Sequence, residues 1–278
     1  MRSPDLTELW TATFDETVVI TVDGHDARLE RLMATVPFDP GVVIVDRCPR
    51  GYDSYAHRPE TNHHVLVGNR HKKIVEAAAK QGLKNVFVFE DDAEFTGHDA
   101  ETLAQVLTWA RGHADEWDVF YLGFAAPLLS RCSRIDDHII RVHRPFFAHA
   151  LCYSQRAFDP ILSIDFTADH RPLFFRAMER LASPHGRRDD YFRQGVGSLD
   201  TWLSFSQLGR LASDPILVVQ TSLPPGTEDA WRKRTGRSYD VSRTPQELVT
   251  IALRVHRVRS LASWAAVAAL LILAASRC

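Results

Sequence analysis

Apolar positions in this chain come as short continuous runs, and the stretches between them carry helical spacing or turn residues. The run Thr17-Val-Val-Ile-Thr-Val22 is rich in β-branched residues and predicts a strand buried on both faces. Asp23 to Asp26 follow as a loop with helix-starting residues. Leu29, Leu32 and Met33 then recur at helical spacing across 27–34, which completes a β-loop-α unit. A second strand is predicted over 42–45, closed by Asp46 and the Cys-Pro-Arg-Gly turn. Gly51 and Pro59 break the polar stretch 50–63 into loop. The spacing predicts a helix over 64–81, with Val67, His71, Ile74, Val75 and Ala78 on one face and Gly82 as its C-cap. Val86 to Phe89 form the next apolar run, and it ends directly on Glu90, Asp91 and Asp92.

The second half is less regular. A helix is predicted over 100–114, a strand over 117–123, shorter strands over 139–142 and 148–153, and a helix over 155–162. Residues 183–197 read as a polar, glycine-bearing surface loop whose Arg187, Arg188 and Arg193 could close over a diphosphate. Asp200 lies between apolar residues in Leu199-Asp-Thr-Trp-Leu-Ser-Phe205, and 216–219 is the last strand. Alternating strands and helices place the chain in the α/β class. Its main domain is expected over 1–221, with a linker and amphipathic helix over 222–259 and an apolar helix over 260–278.

That apolar helix holds a charge-free stretch, 261–275, of about 22 Å, against a hydrocarbon core of roughly 30 Å. Arg254, Arg257 and Arg259 before it and Arg277 after it could snorkel and rescue a short span. The expectation is a C-terminal membrane anchor with the main domain on the cytosolic side. The first ten residues are too polar for a signal peptide.

Composition narrows the function classes. The chain has 278 residues, 45% of them hydrophobic, enough for a substantial core. Its 33 basic and 35 acidic residues nearly balance, which argues against a general polyanion binder and against nucleic acid as a partner. Cys48, Cys132, Cys152 and Cys278 are too far apart for a close-spaced metal pair and read as free thiols. No phosphate-cradling Gly-x-x-x-x-Gly-Lys loop is present.

The chemistry concentrates at Glu90, Asp91 and Asp92. Acids at the carboxyl edge of a buried strand stand where open α/β sheets take their ligands. Carboxylates are hard oxygen donors, so the cation expected is Mn²⁺ or Mg²⁺ ahead of zinc, and such a cation can hold the phosphates of a nucleotide. Strand alternation puts Glu90 and Asp92 on one face and Asp91 on the other, which favours Asp92 and Glu90 as the metal pair.

The order of these features resembles glycosyltransferase family 25, the lipopolysaccharide and collagen-type galactosyl- and glucosyltransferases. Val19-Ile-Thr-Val-Asp-Gly-His-Asp-Ala-Arg28 looks like the opening motif of the family. The helix with His71 looks like the one carrying its Ser-His pair, and Glu90-Asp91-Asp92 like its acidic metal motif. The strand from Trp117 to Gly123, the segment with His149, Ala150 and Tyr153, and Asp200 match later motifs in order. The similarity covers about residues 17–208. Arg70 stands where the family has serine, Ser198-Leu199 replace Pro-Val, and the C-terminal apolar tail is unlike secreted members.

The resemblance implies a GT-A fold, a Rossmann-type mixed sheet flanked by helices. It also implies transfer of a hexose, with inversion, from a UDP-linked nucleotide-sugar donor to a hydroxyl. The acceptor would be a glycan, a lipid-linked glycan or a hydroxylated protein. On this reading Asp92 ligates the metal, supported by Glu90, while Asp91, Arg28 and His149 meet the nucleotide. Asp200 is the base, since an acid in an apolar segment is partly desolvated; the alternative is an ion-paired or helix-capping aspartate. His71, on the apolar helix face, reads as a buried structural histidine. Two other classes stay open: a Mg²⁺-dependent phosphoryl-transfer domain using Asp91 or Asp92, and an inactive membrane-tethered binding module.

Overall fold

Eight strands form one mixed sheet because each core strand carries apolar residues on both of its faces. The computed structural model describes residues 5–49, 63–97, 100–125, 132–143, 145–168 and 199–221. The elements in chain order are α1 (Leu6–Thr13), β1 (Thr17–Val22), α2 (Asp26–Thr35), β2 (Val43–Cys48), α3 (His63–Gln81), β3 (Asn85–Glu90) and β4 (Ala93–Phe95). There follow α4 (Ala100–Gly112), β5 (Val119–Ala125), β6 (Cys132–Asp136), β7 (Ile139–Val142), β8 (Phe146–Ser154) and α5 (Gln155–Leu162). After residues that lie outside the description come α6 (Leu199–Phe205), β9 (Arg210–Ser213) and β10 (Val218–Gln220).

The large sheet runs in the order β2-β1-β3-β8-β5-β9-β7-β6, and β10 pairs with β4 in a small second sheet. Strands β1, β2 and β3 are parallel; β8 runs antiparallel between β3 and β5. Along β1, Val18, Ile20 and Val22 join the core shared with α3, α5 and α6, while Val19 joins the core shared with α1, α2 and α4. On β3, Val86 and Val88 face the first core and Phe87 and Phe89 the second. Burial on both faces is why these strands read as unbroken apolar runs.

Helix α1 is an element additional to those expected. Asp5 caps it by accepting from the Thr7 and Glu8 amides at 2.9 and 3.2 Å. Trp10 anchors it, fully buried among Phe14, Phe38, Phe87, Phe89 and Phe95, with its indole N–H donating to Thr17 Oγ1 at 2.8 Å. An indole of this size contributes on the order of 4–6 kcal/mol by buried area.

Helix α3 ends as its sequence predicts. Gly82 has φ +71°, and the Gly82 and Leu83 amides donate to Ala79 and Ala78 carbonyls. Its Gly68 serves packing: a Cβ there would lie 2.8 Å from the ring of the buried Phe166. Alanine gains about 1 kcal/mol of helix propensity over glycine, whereas overpacking costs about 1–3 kcal/mol. Gly68→Ala is therefore expected to lower stability by about 1 kcal/mol in a urea titration, and a gain would show that Phe166 has room to shift.

Several expectations are corrected. The second strand begins at Val43 and runs to Cys48, because its parallel ladder with β1 continues that far. Strand β5 starts at Val119, and β6 and β9 are additional strands. The last strand is Val218–Gln220, two residues later than its apolar run begins. The loop over 183–197 with its arginines, the linker and the proposed C-terminal helix all lie outside the described residues. Among the described residues no helix is long and apolar enough to cross a membrane.

Candidate nucleotide and metal site

The acidic triplet ends β3, but it does not continue the strand. Glu90 is the last strand residue, and Asp91 and Asp92 form the turn into β4. Strand alternation therefore stops at Glu90 and does not itself set the direction of Asp92, yet the Glu90 charge acts on Asp92 more strongly than that of Asp91.

Asp91 turns toward β1 and α2. Its Oδ2 accepts from Thr21 Oγ1 at 2.8 Å and from the Val22 amide at 3.4 Å, and it lies 3.3 Å from His25 Nδ1. Its Oδ1 lies 3.7 Å from Arg28 Nη1. Asp91 thus ties the opening loop of the chain to the sheet edge and brings Arg28 there. Asp92 turns the other way, toward β10. Its Oδ2 accepts from Gln220 Nε2 at 2.7 Å, and its backbone carbonyl accepts from the Thr221 amide and hydroxyl at 2.8 and 3.1 Å. Its Oδ1 is buried with no hydrogen-bond partner among the described residues. Glu90 reaches toward α3, with Oε1 3.5 Å from His71 Nε2.

Crowding and burial oppose ionisation here. Burial pushes the Asp92 carboxyl well above the usual range, the Glu90 charge adds to this, and the Gln220 hydrogen bond acts against it. Glu90 is also pushed up, by burial and then by Asp91. Burial acts less strongly on Glu90, whose side chain keeps 23% of its exposure. A positive group at this edge would relieve both.

Behind Glu90 lies a buried polar chain. His71 is fully buried on α3, and Tyr153 OH lies 2.9 Å from its Nδ1. Burial pushes His71 down to about 4, with the Asp200 charge acting the other way, so the ring is neutral at pH 7. Tyr153 can donate to Nδ1, and in that tautomer the ring proton sits on Nε2 and faces Glu90. His71 is the buried, hydrogen-bonded histidine its helix face predicts, and it also adjoins the acidic edge.

Asp200, in the first turn of α6, comes to the same region: its charge acts on His71, Tyr121 and Tyr153. The far end of α6 is held by Arg210, whose guanidinium donates to the Leu203 and Ser206 carbonyls. A cation at a helix C-terminus is favourable, and here it docks the helix that carries Asp200. Arg70, at the position where the resemblance expects serine, pairs with Asp46 on β2.

His149 is buried where β5 and β10 approach. Its Nε2 lies 3.3 Å from the Val218 carbonyl, and its Nδ1 is buried with no hydrogen-bond partner among the described residues. Burial pushes the imidazole down to about 4 from its usual 6.5, with the Val218 hydrogen bond acting the other way. Because the folded value lies below the unfolded one, the unfolded chain takes up the proton first as pH falls. The contribution of the neutral ring is whole above about pH 6.5 and is lost toward pH 4, by up to about 1.4 kcal/mol per pH unit. His149→Gln lacks this titration. Between pH 7 and 5.5, urea unfolding should shift the stability difference by about 1 kcal/mol in favour of the variant. A difference that ignores pH would mean the ring is not held neutral.

The donor set suits a hard cation with few protein ligands. Among the described residues no three His, Cys, Asp or Glu side chains converge in ligating geometry. The orphaned Asp92 Oδ1 nevertheless offers one carboxylate oxygen. Mg²⁺-type sites commonly combine one or two carboxylates with water and substrate phosphates.

No family model matches the chain. A curated relative from Bos taurus, "Probable inactive glycosyltransferase 25 family member 3", is 33% identical over 127 residues, covering 44% of this chain and 20% of that protein. The chain resembles glycosyltransferase family 25. A second relative, "Inactive glycosyltransferase 25 family member 3" from Homo sapiens, is 29% identical over 129 residues, or 40% of this chain and 22% of the relative. The chain thus spans about a fifth of the family 25 relatives it matches. Among solved structures, mannose-1-phosphate geranyltransferase from Thermus thermophilus aligns with a TM-score of 0.38 at 14% identity, covering 71% of this chain and 73% of that one.

Four residues that the sequence did not single out complete the site: Thr21 and His25 inside the opening motif, and Gln220 and Thr221. Gln220 had a local signal, since it is a polar residue closing an apolar run, as Glu90 is.

Proposed function

We propose that this chain is a glycosyltransferase domain of GT-A-like fold that moves galactose or glucose from a UDP-linked donor to a hydroxyl acceptor, with inversion. The observation that carries the reading is Asp92 Oδ1, a buried oxygen at the carboxyl edge of β3 with no hydrogen-bond partner among the described residues. Asp92, supported by Glu90, would hold a Mn²⁺ or Mg²⁺ ion, which supplies Lewis-acid charge to the diphosphate leaving group. Arg28, held beside Asp91, offers its guanidinium to a phosphate oxygen. Asp200 takes the proton of the acceptor hydroxyl as its oxygen attacks the anomeric carbon. The bond from that carbon to the diphosphate oxygen breaks, and the nucleoside diphosphate departs with the electron pair. The acceptor is a glycan, a lipid-linked glycan or a hydroxylated protein.

A second reading is supported by the word "inactive" in the names of the relatives: a module that binds a nucleotide sugar without turnover. UDP release from UDP-galactose and UDP-glucose, with and without Mn²⁺, separates the two. Metal-dependent release is expected. Binding without release selects the module, and folded protein that neither binds nor cleaves any nucleotide sugar rejects both.

A further inference from the structure

Gln220 and Asp92 meet where β10 ends beside the acidic turn. Gln220 Nε2 donates to Asp92 Oδ2 at 2.7 Å. A carboxylate only accepts, so the amide must give it the nitrogen, and the amide oxygen takes no part in that bond. Two bonded side chains therefore each keep one oxygen, Asp92 Oδ1 and Gln220 Oε1, buried and without a hydrogen-bond partner among the described residues. Asp92 is 8% and Gln220 9% exposed. An unpaired buried acceptor is destabilising, so two on adjoining side chains suit a positive group.

The backbone holds the pair in register. Gln220 lies opposite Ala93 in the β10–β4 ladder, and Thr221 donates twice to the Asp92 carbonyl. An amide oxygen is a hard donor, yet it adds no negative charge to an edge already crowded by Glu90, Asp91 and Asp92. We infer that Gln220 is an oxygen ligand in the same cation site as Asp92, so that the β3–β4 turn and β10 each build half of it. The site takes a hard divalent cation such as Mn²⁺ or Mg²⁺. This rests on the reading of Asp92 as a cation ligand given above.

Water-proton relaxation on the full chain tests it, with Mn²⁺ alone and with Mn²⁺ plus UDP, because relaxation is enhanced where Mn²⁺ tumbles with the protein. Wild type is expected to show the enhancement, and Asp92→Asn to lose it. Gln220→Met keeps the bulk without the oxygen and should weaken Mn²⁺ binding about tenfold. Gln220→Glu restores an oxygen and should bind at least as tightly as wild type. A purely structural Gln220 would not be rescued this way, since glutamate sets carboxylate against carboxylate. Thermal unfolding confirms that each variant is folded. Wild-type affinity in Gln220→Met, with Asp92→Asn impaired, overturns the Gln220 role and leaves the Asp92 reading standing. A Gln220→Glu variant as weak as Gln220→Met overturns it too. A wild-type chain with no enhancement in either condition overturns both.

Discussion

Asp92→Ala is expected to weaken Mn²⁺-dependent UDP binding on the order of 100-fold, a loss of about 2.7 kcal/mol, while leaving the chain folded. The separation of binding from folding follows from the surroundings of the carboxylate. Burial and the Glu90 charge oppose its ionisation, so removing it relieves a cost in the free protein. Against that, Gln220 Nε2 loses its acceptor, which costs about 1–3 kcal/mol. The two nearly cancel. Isothermal titration with UDP should therefore show a large difference from wild type in Mn²⁺ and little difference in its absence. Unchanged affinity in Mn²⁺ would reject Asp92 as a ligand.

Gly123→Ala should damage the fold most directly. A Cβ at this position would lie 2.3 Å from His149 Nε2 and 2.4 Å from the Val218 carbonyl oxygen. A side chain can swing aside, but Val218 belongs to the backbone of β10, which pairs with β4. Overpacking against backbone should cost about 3 kcal/mol, at the upper end of the usual range, read as a lower urea midpoint. Displacing β10 also moves Gln220, so Mn²⁺ binding should fall with stability. Adding His149→Ala to Gly123→Ala should recover only part of the loss, because the Val218 carbonyl still stands in the way. A midpoint equal to wild type would mean that β5 and β10 do not approach so closely.

How much of this was legible beforehand differs by element. Strands β1 and β3, helix α5 and the Gly82 cap follow from local pattern, because a strand covered on both faces must be apolar throughout and a left-handed cap favours glycine. Helix α1 carries the period in Leu6, Leu9 and Trp10 behind an Asp5 cap, but over only eight residues. Its largest anchor, Trp10, packs on aromatic partners up to 85 positions away in Phe95. Strands β6 and β9 are short, and their pairing partners decide them.

The candidate site divides in the same way. The three adjacent acids, the arginine of the opening motif and the late aspartate stand in the sequence as residues, and the resemblance to family 25 rests on their order. Their roles do not. Whether Asp91 or Asp92 keeps a free oxygen depends on the turn after Glu90 and on which partners approach it. Those partners, Thr21 and Gln220, lie 70 and 128 residues away along the chain. The sequence by itself determined the apolar strands and the presence of acids at the end of one of them, since burial and alternation are local demands on each segment. Only the tertiary structure decided that β1 would engage Asp91, that β10 would engage Asp92 and that Asp92 Oδ1 would have no partner among the described residues. Hydrogen bonds between distant segments exist only once the sheet has brought them together.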